Sequence, residues 1–172
     1  MWYNSINELR KEVITMTQYT IKAIAIESIV DYATKKITKG DLREWALCDY
    51  CGIKRTTHDS QAYNVASDVE AGEKHISVKA SGFTLMGGSL CEGKEDFDGI
   101  WGVFEKNVHS NRFAYVTQDY TVYEMNIDEF KEFVYRFCYI NRDSKQNGGR
   151  KKIKALKESQ KMRNWLAAKI AA

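Results

Sequence analysis

Residues 67–81 alternate polar and apolar on both sides of a central Gly72-Glu73 pair, and that pattern constrains the fold more than any other stretch. A two-residue period is a strand's period, so Ile76, Val78 and Ala80 face one way and His75, Ser77 and Lys79 the other. Glycine at the first central position suits a primed hairpin turn, which sets Val69 opposite Ile76. The polar faces of the two arms then coincide. Asp68 falls across from Ser77, Glu70 and His75 lie beside them, and Lys79 sits one pleat further along.

Carboxylates and an ammonium on one sheet face are the equipment of phosphodiester hydrolysis. Mg²⁺ prefers carboxylate and water oxygens, and it activates a bound water while neutralising charge on the phosphate. A lysine beside it orients the attacking water or stabilises the crowded transition state. With Asp68 on one arm and Lys79 closing the run Ile76-Ser77-Val78-Lys79-Ala80-Ser81 on the other, the stretch resembles the PD-(D/E)xK, or restriction-endonuclease-like, nuclease superfamily. In that family an Asp on one strand is followed on the next by Glu-x-Lys. Ser77 occupies the position of the family's second carboxylate, so the resemblance implies either a substituted site or a carboxylate from elsewhere, Glu27 on a preceding helix or Glu70 on the hairpin. It also implies Mg²⁺ as cofactor, with Mn²⁺ able to substitute, held by Asp68 and by Glu27 or Glu70.

At 172 residues the chain has the length of one domain, expected to span 1–172. It contains no proline, no internal repeat and no apolar run near the roughly 20 residues that cross a bilayer. Met1-Trp2-Tyr3-Asn4-Ser5 lacks the basic and apolar regions of a signal peptide, which points to the cytoplasm and to reduced cysteines. Net charge is only +3, yet it is unevenly placed. From Arg142 onward ten lysines and arginines face only Asp143 and Glu158, an asymmetry that suits a polyanion such as DNA.

In chain order, a short helix is expected over 6–17. A longer one from Thr20 to Lys39 follows, with Ile26, Ile29, Val30, Ala33 and Ile37 on one stripe and Gly40 ending it. Asp41-Leu42-Arg43-Glu44 has the form of a capping box for a helix running to Cys51 and stopping at Gly52. Cys48 and Cys51 are spaced as half a zinc site, with His58, Cys91 or Cys138 as distant further ligands, or as two small apolar residues near a helix end. Residues 52–64 read as a basic loop at the rim of the site, where Lys54, Arg55 and His58 reach phosphate and Tyr63 or Asn64 positions a base. Residues 81–89 read as small and flexible.

A helix is expected over 95–108 with Phe97, Ile100, Trp101 and Phe104 inward, then strands at 113–117 and 121–125 around a turn at Gln118-Asp119. Another helix starts at Asn126, its stripe running Phe130, Phe133, Val134, Phe137, Cys138. A polar linker over 141–149 leads to a basic helix at about 150–170, docked by Ala155, Leu156, Met162, Leu166 and Ile170, with Arg150, Lys151, Lys152 and Lys154 along the DNA backbone. The expected fold is α/β, a mixed central sheet flanked by helices, in the order of the restriction-like core. The expected activity is that of a Mg²⁺-dependent DNA endonuclease with Asp68, Ser77, Lys79 and Glu27 or Glu70 at the site. The small size suits a homodimer cutting two strands or a monomer nicking one. Two other readings stand beside it: a non-catalytic nucleic-acid-binding protein on the same fold, and a protein-interaction module with zinc on Cys48 and Cys51.

Overall fold

The computed structural model of the chain describes residues 16–25, 37–55, 68–85, 94, 96–142 and 151–172. Among them the order is β1 (Thr17–Thr20), α1 (Lys39–Cys51), β2 (Val69–Ala71), β3 (Lys74–Ala80), β4 (Thr84–Leu85), α2 (Phe97–Asn107), β5 (Arg112–Val116), β6 (Thr121–Met125), α3 (Ile127–Phe137), β7 (Cys138–Arg142), β8 (Lys151–Ala155) and α4 (Gln160–Ala171). The fold is α/β. A mixed five-stranded sheet has the order β1-β6-β5-β3-β2, and a second sheet has the order β4-β8-β7.

The β2–β3 hairpin forms in the register its alternation requires, with Val69 opposite Ile76 and Glu70 opposite His75. Gly72 is the residue of the turn with positive φ, 62°, which glycine adopts without the steric cost a Cβ would impose. β3 then runs parallel to β5, and a parallel pair needs a crossover, here carrying β4 and α2. The remaining pairs of the main sheet, β1–β6, β5–β6 and β2–β3, are antiparallel.

Every residue of β5 is buried, as befits a strand covered on both faces. On one face Ile76, Ala114, Val116 and Val122 pack against Ala46, Leu47 and Cys48 of α1 and against Ile21 and Ile24. On the other, Phe113, Tyr115, Tyr123 and Met125 meet Ile100 and Trp101 of α2, Phe130 and Phe133 of α3, and Met162 and Leu166 of α4. The rings of Phe113 and Phe130 stack with centroids 4.3 Å apart.

Several expectations are corrected. Thr17–Thr20 is a strand paired to β6 and residues 21–25 are irregular, so no helix begins at Thr20; residues 1–15 and 26–36 lie outside the described set. Gly40 does not end a helix but lies in the first turn of α1. The capping box is Thr38 with Asp41: the Asp41 N–H donates to Thr38 Oγ1 at 3.2 Å, and the Thr38 N–H donates to Asp41 Oδ2 at 2.6 Å. Gly52 ends the helix as anticipated, in the left-handed conformation. Thr38→Ala, which orphans the Asp41 N–H, should cost about 0.5–2 kcal/mol, read as a lower urea midpoint with an unchanged slope.

Two further corrections concern the C-terminal part. The apolar stripe of α3 does not continue through Cys138, which opens β7 instead. Lys151–Ala155 is a strand rather than the start of a helix, because Lys152 and Lys154 alternate with the buried Ile153 and Ala155 at period two. The final helix begins only at Gln160, capped by Ser159, and Leu156 is exposed instead of docked. No helix among the described residues is long and apolar enough to cross a membrane.

Candidate active site

β2 starts at Val69, so Asp68 sits just where the antiparallel ladder gives out. Its N–H still donates to the Ile76 carbonyl at 3.1 Å. Beyond that point its side chain takes over the role of a neighbouring strand: Asp68 Oδ2 accepts from the Val78 N–H at 2.6 Å and from Ser77 Oγ at 3.3 Å. Lys79 Nζ in turn donates to Ser77 Oγ at 2.8 Å. Ammonium, hydroxyl and carboxylate thus form one connected chain along β3, with Ser77 as the link between the two charges.

Lys79 is half-buried, and desolvation lowers its pKa from the ordinary 10.5. The carboxylates of Asp68 and, more weakly, Glu44 oppose that shift by favouring the charged form. Glu44, on the second turn of α1, therefore brings a second carboxylate's field to the lysine. It was not among the candidates read from the sequence because Asp41-x-x-Glu44 has the form of a capping box. Once Thr38 is seen to be the cap, Glu44 is released from that role.

The sign of the electrostatics is testable. Removing a charge that raises the pKa must lower it, so Asp68→Asn should move the Lys79 ionisation further down, and Glu44→Gln should move it in the same direction by less. The pH dependence of Lys79 acylation, followed by peptide mass spectrometry, should inflect below 10.5 in the wild type and lower still in both variants. An inflection at or above 10.5 in the wild type would contradict the burial.

The other candidates are placed differently. Glu70 lies 54% exposed, its carboxylate 3.7 Å from His75 Nδ1 across the hairpin. Glu27, His58, Tyr63, Asn64 and Arg150 lie outside the described residues. Arg55 is held by Asp49 through two hydrogen bonds of 2.8 and 2.5 Å, and its guanidinium sits 5.8 Å from the Trp45 ring centre, at the far end of α1. Lys54 is exposed just beyond it. Lys151 and Lys152 belong to β8, where Lys152 pairs with Asn141 and Lys154 with Tyr139. Cys48 is buried against the sheet, Cys51 and Cys138 are half-buried, and none of the three is in a disulfide among the described residues. Burial raises the Cys51 thiol above its ordinary value and pushes Cys138 up to about 12.

Lys79 opens into a cleft of about 1190 Å³ between the start of α1 and the second sheet. Lys39, Arg43, Lys154 and Lys157 line it as well, and no Asp or Glu does so among the described residues. Arg43 is fixed in place, donating to the carbonyls of Thr117 at 3.3 Å and Lys39 at 2.9 Å.

The donor set suits a hard cation. No three of His, Cys, Asp and Glu converge among the described residues, but Mg²⁺ keeps several waters and is commonly bound through one or two carboxylates. Asp68 offers one such carboxylate beside Lys79, and Glu44 on α1 is a second whose charge reaches the same lysine. Compared with known proteins, the chain matches no family model, no curated protein and no solved structure.

Proposed function

We propose that the chain is a metal-dependent endonuclease that hydrolyses phosphodiester bonds in DNA. The observation that carries this reading is the chain from Lys79 Nζ through Ser77 Oγ to Asp68 Oδ2, beside a cleft lined, among the described residues, by five cations and no carboxylate. The resemblance of the hairpin to the PD-(D/E)xK nucleases supports it, as does the passage from hairpin through α2 to a parallel β5.

Asp68 would hold Mg²⁺ or Mn²⁺, with Glu44 on α1, Glu27 or Glu70 as the second carboxylate. When bound, the ion supplies a water of lowered pKa and offsets charge on the phosphate. Lys39, Lys154 and Lys157 draw the phosphates in without regard to sequence. Lys79 presents a poorly solvated ammonium to the scissile phosphate, where a charge is worth more than it is in water. Ser77 accepts from that ammonium and donates to Asp68, which fixes the distance between them.

One observation favours a second reading, a nucleic-acid-binding protein without catalysis: Ser77 supplies a hydroxyl where a carboxylate belongs, and Asp68 Oδ2 is already engaged by two donors. Supercoiled plasmid and mixed genomic DNA, incubated with Mg²⁺, Mn²⁺ or chelator, separate the two. Metal-dependent nicking or linearisation that Asp68→Ala abolishes supports the nuclease. Tight DNA binding without cutting by the wild type supports the alternative.

A further inference from the structure

Three tyrosines of the described set are markedly exposed, and two of them are engaged. Tyr50 stacks on Tyr19 at 4.9 Å, and Tyr135 packs on Phe97 while donating to Asp98. Tyr139, 42% exposed, has neither a ring partner nor a side-chain hydrogen bond among the described residues. It lies on the face of the second sheet turned away from the core, directly across β8 from Lys154, which pairs on its other side with Thr84. Leu156, 48% exposed, lines the same cleft beside it. An unpartnered aromatic ring and an exposed leucine, in a cleft that carries four lysines and an arginine, contribute nothing to phosphate attraction.

We infer that the cleft receives a single-stranded stretch of DNA, with a base laid on Tyr139 and the backbone tracked by Lys154, Lys157 and Lys39. A duplex keeps its bases stacked and offers a protein surface only phosphates and groove edges, so a tyrosine face gains little from it. An unstacked base offers a π-face, and stacking on an aromatic residue between cations is how single strands are held without sequence preference. The cleft, at about 1190 Å³, exceeds the roughly 300–1,000 Å³ of a small-molecule pocket, as a segment of polymer requires. None of the three lysines has a carboxylate partner among the described residues, so their charge is available to an incoming chain. The inference rests on the reading of this chain as a protein that acts on DNA, and it narrows the substrate to frayed, looped or single-stranded sites.

Binding measured in chelator tests it apart from cleavage. A labelled single-stranded oligonucleotide of roughly 15 nucleotides, the upper range of one stacking module, is titrated by fluorescence anisotropy against the same sequence as duplex and as RNA. The single-stranded DNA should bind tightest. Tyr139→Ala should weaken it by about 5- to 150-fold, the range expected for one lost stack, while Tyr139→Phe stays within about twofold. Duplex affinity should not respond to either. Three phosphate contacts should give a salt slope of roughly −2, and Lys154→Glu should flatten it. The Tyr139 substitutions sit on an exposed side chain, and an unchanged melting temperature of every variant certifies the fold. Duplex or RNA binding as tightly as single-stranded DNA, or a Tyr139→Ala protein that binds the single strand like the wild type, overturns the inference. A protein that holds single strands through Tyr139 but never cuts sinks the nuclease reading alone; one that cuts duplex and ignores Tyr139 sinks only this one.

Discussion

Lys79→Met should eliminate cleavage and leave the protein at least as stable as the wild type. The two halves of that expectation have one cause. Lys79 is held where solvent reaches it poorly, so its charged form is disfavoured in the folded state and its pKa lies below 10.5. A lysine whose pKa falls on folding costs stability in full at every pH below that folded value, and the cost fades as the pH rises from there to the unfolded 10.5. Methionine fills similar space without the charge. It removes the penalty along with a cation whose loss from a transition state costs about 10²–10³ in rate. A group that destabilises the fold and is needed for turnover marks a working site. Plasmid nicking and thermal melting on one preparation decide it: a Met variant that still cuts, or that melts well below the wild type, would show Lys79 to be structural. Asp68→Asn should lose activity too. Its amide oxygen still accepts from the Val78 N–H, so the hairpin end should stay closed while the negative charge is gone.

Glu124→Ala should be the most damaging single change to stability. The carboxylate is 1% exposed on β6, an interior strand of the main sheet, and accepts three hydrogen bonds of 2.9 Å, from Arg112 Nε, Lys74 Nζ and Tyr19 Oη. Those donors sit on β5, β3 and β1, so one side chain of β6 ties together three other strands. Truncation leaves the Arg112 guanidinium buried without its counter-ion, a situation that costs about 3–5 kcal/mol. For a chain of this length that is a fall in Tm of roughly 6–20 °C. Burial pushes the Glu124 pKa up, but the three donors outweigh it and the net shift is downward from 4.5. Its contribution is therefore complete above the unfolded value and lost as the pH falls through the folded one. The gap between wild type and Glu124→Gln should be full at neutral pH and should narrow in acid below about 4.5. A gap that widens in acid would refute the network. Replacing Arg112 by Met in the Glu124→Leu background should recover part of the loss, because the orphaned charge is then gone.

What could be read from the residues alone follows from where the signals were local. The β2–β3 register was legible because alternation and a glycine turn specify it within 15 residues, and Asp68, Ser77 and Lys79 came with it. α3 was legible through Asn126 and Glu129, which form the box their spacing suggests. The second sheet was not. Phe133, Val134, Phe137 and Cys138 continue a helical stripe, and nothing between Phe137 and Cys138 signals that the chain stops coiling there; pairing with β8 decides it. Lys151-Lys152-Ile153-Lys154-Ala155 serves equally as a basic helix or an alternating strand. Its partner β4 is two residues long and some seventy residues earlier in the chain. The basic residues of the tail were thus read correctly as cations but on the wrong element, and the aromatic neighbour that Lys154 acquires across β7 was hidden. At the site, mistaking which residue caps α1 concealed Glu44.

The outer position of β1 also bears on how the chain comes to be folded in a cell. Thr17 pairs with Glu124, so the first described strand has its only sheet neighbour among the described residues in a strand made just before α3. At about 5–20 residues per second, a ribosome leaves that strand waiting roughly 5–20 s for β6 to be synthesised. Until then Gln18, Tyr19 and their neighbours present an unpaired strand edge, open to pairing with another nascent copy. β5, β6 and α3 are contiguous and joined by short turns, so they are the unit that can assemble first and then collect β3 on one side and β1 on the other. Glu124 is the point at which that collection closes, since the strand that carries it holds the acceptor for groups on both late-arriving partners.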